Sequence, residues 1–251
     1  TSDDVVTGWD WTMPADAKPA KDSGIFTINN NAYPSGWPGH RIRVVNATWR
    51  DLEPSPGNYD FSSIRNYLDD PSYDGIFLNV RGFVTKIIDS SGNNALASEI
   101  TAPSWLQGPA YQEHEHNGYR ITSLLIRDSN VKAKHLALIT ALKNSGILTS
   151  ARIWGQIIHL PSSTRGEEFE SQQGDAAATE AAADDYITAW ANAAGANAKR
   201  LMWTDDRGTW PALFDDAVTN GGTGARGGAV ESWLWNQYTP GYKKYSQQTW
   251  T

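Results

Sequence analysis

Apolar and polar residues follow two alternating patterns along the chain, one typical of strands and the other of helices. Residues 41–49 alternate with a period of two, whereas residues 75–81 are almost continuously apolar, as in a parallel strand that is buried on both faces. Further strands are predicted at 5–11, 150–158, 199–204 and 228–235. Helices are predicted at 64–68, 131–144, 176–194 and 210–218. This alternation predicts an α/β fold with a parallel sheet.

The stretch 48–62 (TWRDLEPSPGNYDFS) lies between the second strand and the first helix, and its prolines and glycine predict a tight turn. Its sequence motif, W-x-x-L-E-P-x-x-G-x-Y-D-F-S, resembles the second β/α unit of clan A glycoside hydrolases, near the β-galactosidase and agarase-like branches. Two weaker similarities are the PSWL at 103–106, which resembles a P-x-W-L after the third strand, and Gly166-Glu167. The resemblance implies a (β/α)8 barrel that cleaves glycosidic bonds with two carboxylates.

No linker or repeat divides the chain, so residues 1–251 are predicted to form one barrel domain. The pattern supplies six β/α units, and a closed barrel needs eight. Strands could lie unnoticed in the long polar insertion at 83–122, the barrel could be incomplete, or another chain could supply the rest. We expect the barrel to be unfinished in this chain, with a C-terminal fragment as one means of completing it.

Composition excludes several classes of function. The net charge of −7 and a pI of about 5.2 disfavour nucleic acid as a partner. No apolar run approaches the ~18 residues of a membrane span, and the absence of cysteine excludes disulfides and thiol catalysis. The first residues are polar and acidic, as a processed mature N-terminus would be, which leaves a removed leader open, and we expect a secreted or periplasmic location. Twelve tryptophans suit the apolar faces of sugar rings.

The resemblance places the catalytic acid/base after the fourth strand, where Gly166-Glu167 lies. Glycoside hydrolysis needs one carboxylic acid to protonate the departing oxygen and one carboxylate to attack the sugar or activate water. We therefore assign the acid/base to Glu167, with Glu168 as the alternative. The competing interpretation is an acidic pair in the first turn of the alanine-rich helix.

The second carboxylate is assigned to Glu231, the last glutamate of the chain, within an aromatic stretch. The resemblance implies a nucleophile after the seventh strand, whereas Glu231 falls in the sixth by our count. It could instead contact substrate or pair with Arg226. If it is the nucleophile, its carboxyl group is expected about 5–5.5 Å from that of Glu167, the separation of retaining enzymes.

Substrate contacts are expected at the carboxyl ends of the strands, where barrel enzymes carry their sites. Tryptophans there would stack on sugar rings, while arginine, aspartate and histidine would bind hydroxyls, and Arg81 could also bind a sulfate or carboxylate. For each residue a purely structural role stays open. The candidates are Trp9, Asp10, Trp11, Trp49, Arg81, His159, Arg165, Trp203, Asp205 and Trp233.

No metal or cofactor is expected. In the run His114-Glu115-His116 the two histidines, as alternate residues, could share a face and a cation, but the sequence places no third ligand, and we interpret the run as loop residues. Glu53 is expected to be structural because it lies in the proline-rich turn. Asn46 begins a glycosylation pattern, but we expect it to be buried in its strand and unused.

These observations predict a glycoside hydrolase that cleaves a polysaccharide by a retaining mechanism. The alternative is a carbohydrate-binding protein without catalysis that uses the same tryptophan-lined cleft. Hydrolysis of a polysaccharide by the wild-type protein distinguishes the two.

Overall fold

A computed structural model describes residues 24–27, 40–106, 111–116, 118–159 and 176–204. The predicted strands at 5–11 and 228–235 and the predicted helix at 210–218 lie outside these ranges. Within them the strands are β1 (Gly24–Thr27), β2 (His40–Thr48), β3 (Gly75–Arg81), β4 (Val84–Ile88), β5 (Tyr111–His116), β6 (Tyr119–Leu124), β7 (Ile153–His159) and β8 (Leu201–Thr204).

The helices are α1 (Trp49–Leu52), α2 (Ser62–Leu68), α3 (Ser129–Asn144) and α4 (Ala176–Ala194), with 3-10 turns at Ala97–Glu99 and Gly195–Arg200. Asp128 caps α3, because its carboxylate accepts hydrogen bonds from the backbone N–H groups of Asn130 and Val131. The helix ends just before Gly146, whose φ of 77° suits a residue without a side chain. Among the described residues, no helix is long and apolar enough to cross a membrane.

Five strands form one parallel sheet in the order β1-β2-β3-β7-β8, and three form a separate antiparallel sheet in the order β4-β6-β5. The main core lies between the parallel sheet and helices α2, α3 and α4. Val45 and Ala47 of β2 and Leu78 and Val80 of β3 belong to this core. Because side chains alternate along a strand, their neighbours in sequence face the other side of the sheet.

On the face of the sheet away from the main core lies a small apolar cluster of Ile42, Val44 and Phe77, against which Trp154 packs. Phe77 lies over Gly155 of β7 so closely that a side chain at this position would clash with its ring. Gly155 therefore allows β3 and β7 to pair where the register between them shifts.

The prediction of a (β/α)8 barrel is wrong. The described parallel strands form an open sheet with β1 and β8 at its two edges, and residues 83–122 contribute antiparallel strands rather than barrel units. The alternation of apolar residues located several strands but carried no information about which strands pair. The expectation of a C-terminal fragment that completes the barrel depended on this fold, and we do not propose it further.

Candidate functional site

Four of the five described strands of the parallel sheet, β2, β3, β7 and β8, end together along one edge. Thr48 at the end of β2 lies opposite Arg81 at the end of β3, and His159 at the end of β7 lies opposite Thr204 of β8. In parallel α/β folds, binding and catalytic residues lie at the carboxyl ends of the strands and in the loops that follow them. This carboxyl edge is therefore the place to look for a functional site.

The turn beyond β2 is built around the carboxylate of Glu53, which is 2% exposed. One oxygen accepts a hydrogen bond from Trp49 Nε1 at 2.8 Å, and the other accepts one from the backbone N–H of Gly57 at 2.8 Å. Gly57 has a φ of 71°, a conformation that suits glycine. The structural role predicted for Glu53 is thereby confirmed.

Trp105 joins the same group from a distant part of the sequence. Its Nε1 donates a hydrogen bond to the backbone carbonyl of Glu53 at 2.7 Å, and its ring meets Trp49 edge to face with centroids 6.2 Å apart. We call Trp49, Glu53 and Trp105 the tryptophan brace. The two motifs at 48–62 and 103–106 thus contact each other and hold the turn at the carboxyl edge.

Trp49 was a candidate for stacking on substrate, but the structure places it in the core. Its side chain has no exposed surface, and it begins helix α1 instead of ending β2. A fully covered indole has no face to offer a sugar ring, so we leave Trp49 out of the candidate site. The strand pattern missed this because a helix of one turn starts directly at the strand end.

Arg81 is half-buried at the carboxyl edge and forms an ion pair with Glu99. Nη2 of Arg81 lies 3.1 Å from Oε2 of Glu99, and the two side chains are 16% and 30% exposed. Glu99 ends the 3-10 turn that follows Leu96, a residue with a left-handed φ of 51°. Sequence reasoning missed Glu99, which belongs to the segment interpreted as a loop insertion.

Asn46 and Asn79 form a second polar pair on the adjacent positions of β2 and β3. Nδ2 of Asn79 donates a hydrogen bond to Oδ1 of Asn46 at 2.8 Å. The prediction that Asn46 is buried in its strand is wrong, because its side chain is exposed. Asn46 was expected to be buried because its strand was predicted to belong to a barrel, and in the open sheet its side chain is uncovered.

His135 of α3 is a buried polar residue that the sequence reasoning did not single out. Its ring lies 4.6 Å from Phe83, 5.0 Å from Trp49, 5.2 Å from Tyr186 and 6.3 Å from Trp190, measured between centroids. Neither ring nitrogen has a hydrogen-bond partner among the described residues. Burial lowers the pKa of His135 to about 3, so the imidazole is neutral at pH 7. Its position on the core-facing side of the helical pattern was the available signal.

The remaining candidates divide into two groups. The backbone of His159 and of Trp203 is described, and both residues lie in the last two positions of their strands at the carboxyl edge. The others lie outside the described residues: Trp9, Asp10, Trp11, Arg165, Glu167, Asp205, Glu231 and Trp233.

His114, Glu115 and His116 belong to strand β5 and not to a loop, which corrects the prediction. In the part of the chain that the structure describes, no group of three or more histidine, aspartate or glutamate residues is arranged to hold a metal ion. Comparison with models of known protein families gave no match, and a search of curated proteins found no similar sequence. The similarity to clan A glycoside hydrolases therefore rests on the motifs themselves and stays a prediction.

Proposed function

We propose that this protein hydrolyses a polysaccharide, with Glu167 as the acid/base. The observation that carries the proposal is where β7 ends. This strand pairs with β3 and ends at His159, at the edge that also holds Arg81, and Glu167 follows eight positions later in the sequence. Binding and catalytic residues of parallel α/β folds follow the carboxyl ends of the strands in sequence, as Glu167 follows β7.

The chemistry requires a proton donor and a second carboxylate. Three carboxylates are described near the edge. Asp51 accepts a hydrogen bond from the hydroxyl of Thr48 and lies 3.5 Å from Arg50. Glu53 is buried and bonded within the tryptophan brace, and Glu99 is paired with Arg81. None of the three can exchange a proton with a substrate without disturbing these partners. We therefore keep Glu167 as the acid/base and Glu231 as the second carboxylate. Sugar stacking is assigned to Trp9, Trp11, Trp203 and Trp233, and hydroxyl contacts to Asp10, His159, Arg165 and Asp205.

Such an enzyme meets its substrate outside the cytoplasm, so the proposal includes a secreted or periplasmic location. The leaving oxygen would take its proton from the carboxyl group of Glu167. The bond to the anomeric carbon would break, and the second carboxylate would attack that carbon before water releases the sugar.

Release of reducing ends from a panel of algal and plant polysaccharides tests the proposal. We expect wild-type protein to act on at least one of them and Glu167→Gln to be slower by about 10²-fold or more, because glutamine cannot donate the proton. Glu168→Gln is the matched control and should keep most of the activity. Equal activity of wild type and Glu167→Gln would contradict the assignment.

A carbohydrate-binding protein without catalysis is the second candidate. It is favoured by the fact that the carboxylates described near the edge, Asp51, Glu53 and Glu99, all have structural partners. Binding of a polysaccharide by wild-type protein with no product after prolonged incubation would select this candidate.

A further inference from the structure

Two asparagines occupy neighbouring positions on paired strands of the parallel sheet. Asn46 of β2 lies opposite Asn79 of β3, and their side chains are hydrogen-bonded at 2.8 Å. Strands of parallel sheets are usually apolar because both of their faces are covered, and asparagine is disfavoured in strands. Two asparagines side by side therefore run against local preference, which is expected where a function requires them.

The next pair along the same strands is polar too. Thr48 lies opposite Arg81, and because side chains alternate, these two residues lie on the same face as Asn46 and Asn79. This face points away from the helices, whose core contacts come from Val45 and Val80. The two pairs are about 6.6 Å apart along the strands and the strands about 4.8 Å apart, an area that one sugar ring covers.

The charges that the structure describes on Arg81 and Glu99 of this patch are paired. Glu99 lies 3.1 Å from Arg81, so the guanidinium and the carboxylate together carry no net charge. A sulfate or carboxylate ligand would have to displace Glu99 or approach it against like-charge repulsion. A sugar hydroxyl, which donates one hydrogen bond and accepts others, can use the amides, the guanidinium and the carboxylate together.

We propose that Asn46, Asn79, Arg81 and Glu99 form a subsite for a neutral sugar residue, which we call the asparagine subsite. The proposal rests on the proposed function and adds to it the class of polysaccharide, one without sulfate or carboxylate groups at this position. The asparagines hold the ring hydroxyls, and Glu99 keeps Arg81 from selecting an anion.

Isothermal titration calorimetry on the full chain carrying Glu167→Gln tests the subsite without consuming the probe. The neutral probes are tetrasaccharides of β-1,4-linked glucose, xylose and mannose and of agarose, and the anionic probe is a sulfated carrageenan tetrasaccharide. We expect at least one neutral probe to bind at least tenfold more tightly than the sulfated one. Asn46→Val and Asn79→Val should each weaken that binding about tenfold, the equivalent of one or two lost hydrogen bonds.

Lys86→Val is the matched control, because it makes the same polar-to-valine change at an exposed strand position of the antiparallel sheet. It should leave the affinity unchanged. Glu99→Gln should raise the affinity for the sulfated probe by releasing the charge of Arg81. Thermal melting of each variant confirms that the protein is folded, and Asn46→Ser and Asn79→Ser replace any valine variant that is not.

The subsite is overturned if no neutral probe binds, if the sulfated probe binds more tightly than the neutral ones, or if the asparagine variants bind as the parent does. Its failure is distinguishable from that of hydrolysis. Turnover that is unchanged in Asn79→Val, in KM as well as kcat, would remove the subsite and keep the hydrolase. Asparagine-dependent binding without turnover in the wild-type protein would keep the subsite and remove the hydrolase.

Discussion

Glu53 and His135 both contact Trp49 in the interior, and the fold accommodates the two in opposite ways. The carboxylate of Glu53 accepts hydrogen bonds from the indole of Trp49 and from the backbone of Gly57. The imidazole of His135 is surrounded by aromatic rings and has no hydrogen-bond partner among the described residues. A buried carboxylate needs donors, whereas an imidazole survives burial by giving up its proton. Glu53 therefore holds the turn together, and His135 makes the stability of the core sensitive to acid.

Removing the carboxylate of Glu53 is expected to have the largest effect. Glu53→Ala leaves Trp49 Nε1–H and the N–H of Gly57 without an acceptor, each at a cost of about 1–3 kcal/mol. We expect the free energy of unfolding in urea at pH 7 to fall by about 2–6 kcal/mol. Glu53→Gln keeps the shape and one carbonyl acceptor, so its loss should be smaller. A change of less than about 0.5 kcal/mol for Glu53→Ala would contradict the role of this carboxylate in the brace.

Lowering the pH should reveal the contribution of His135 to the free energy of unfolding. The pKa of His135 is about 3 in the folded protein, against an ordinary value of 6.5 in the unfolded chain. The unfolded state therefore binds more protons between these values, and stability falls as the pH drops below about 6.5 and levels off below about 3. This group alone accounts for about 2–3 kcal/mol of lost stability between pH 6.5 and 4.5.

The matched variant for the acid experiment is His135→Leu, which fills the aromatic surroundings without a titratable ring. Urea unfolding of both proteins from pH 4.5 to 7 isolates the contribution of His135, because all other titrating groups are shared. The difference in stability should shift in favour of the variant as the pH falls. Parallel pH profiles would show that His135 does not titrate as its burial requires.

The smallest effect is expected at the outer end of the brace. Trp105→Phe keeps an aromatic ring against Trp49 but removes the N–H that binds the carbonyl of Glu53. One such hydrogen bond contributes about 1 kcal/mol, and the melting temperature should fall accordingly. Tyr59→Phe, which removes a polar atom from the same turn, serves as the control and should stay within about 0.5 kcal/mol of wild type. Equal losses of stability in both variants would contradict the role of the Trp105 N–H in the brace.

Strong local patterns predicted their elements well. The apolar run at 75–81 matches β3 (Gly75–Arg81), and the alanine-rich run matches α4 (Ala176–Ala194). The helix predicted at 131–144 is α3, which begins two residues earlier at its Asp128 cap. In each case the signal is a property of consecutive residues, such as burial on both faces or a high helix propensity.

Features that depend on distant partners were not predicted. Residues 83–122 were interpreted as a polar insertion because β4, β5 and β6 are short and partly exposed, and their pairing brings together residues far apart in sequence. The same holds for Arg81 and Glu99, which are 18 positions apart, and for Trp105 and Glu53, which are 52 apart. A barrel was expected because one matching turn was extended to a whole fold.

Leu96 connects the antiparallel sheet to the chemistry of the carboxyl edge. An L-residue in the left-handed conformation costs about 1–2 kcal/mol, and Leu96 offsets this by packing on the cluster of Val84, Ile87 and Ile121. The chain then turns through Ala97–Glu99, which sets the carboxylate beside Arg81. The neutral-sugar preference that we propose for the sheet edge would therefore depend on apolar packing in a second sheet, because that packing holds Leu96 in the conformation that leads to Glu99.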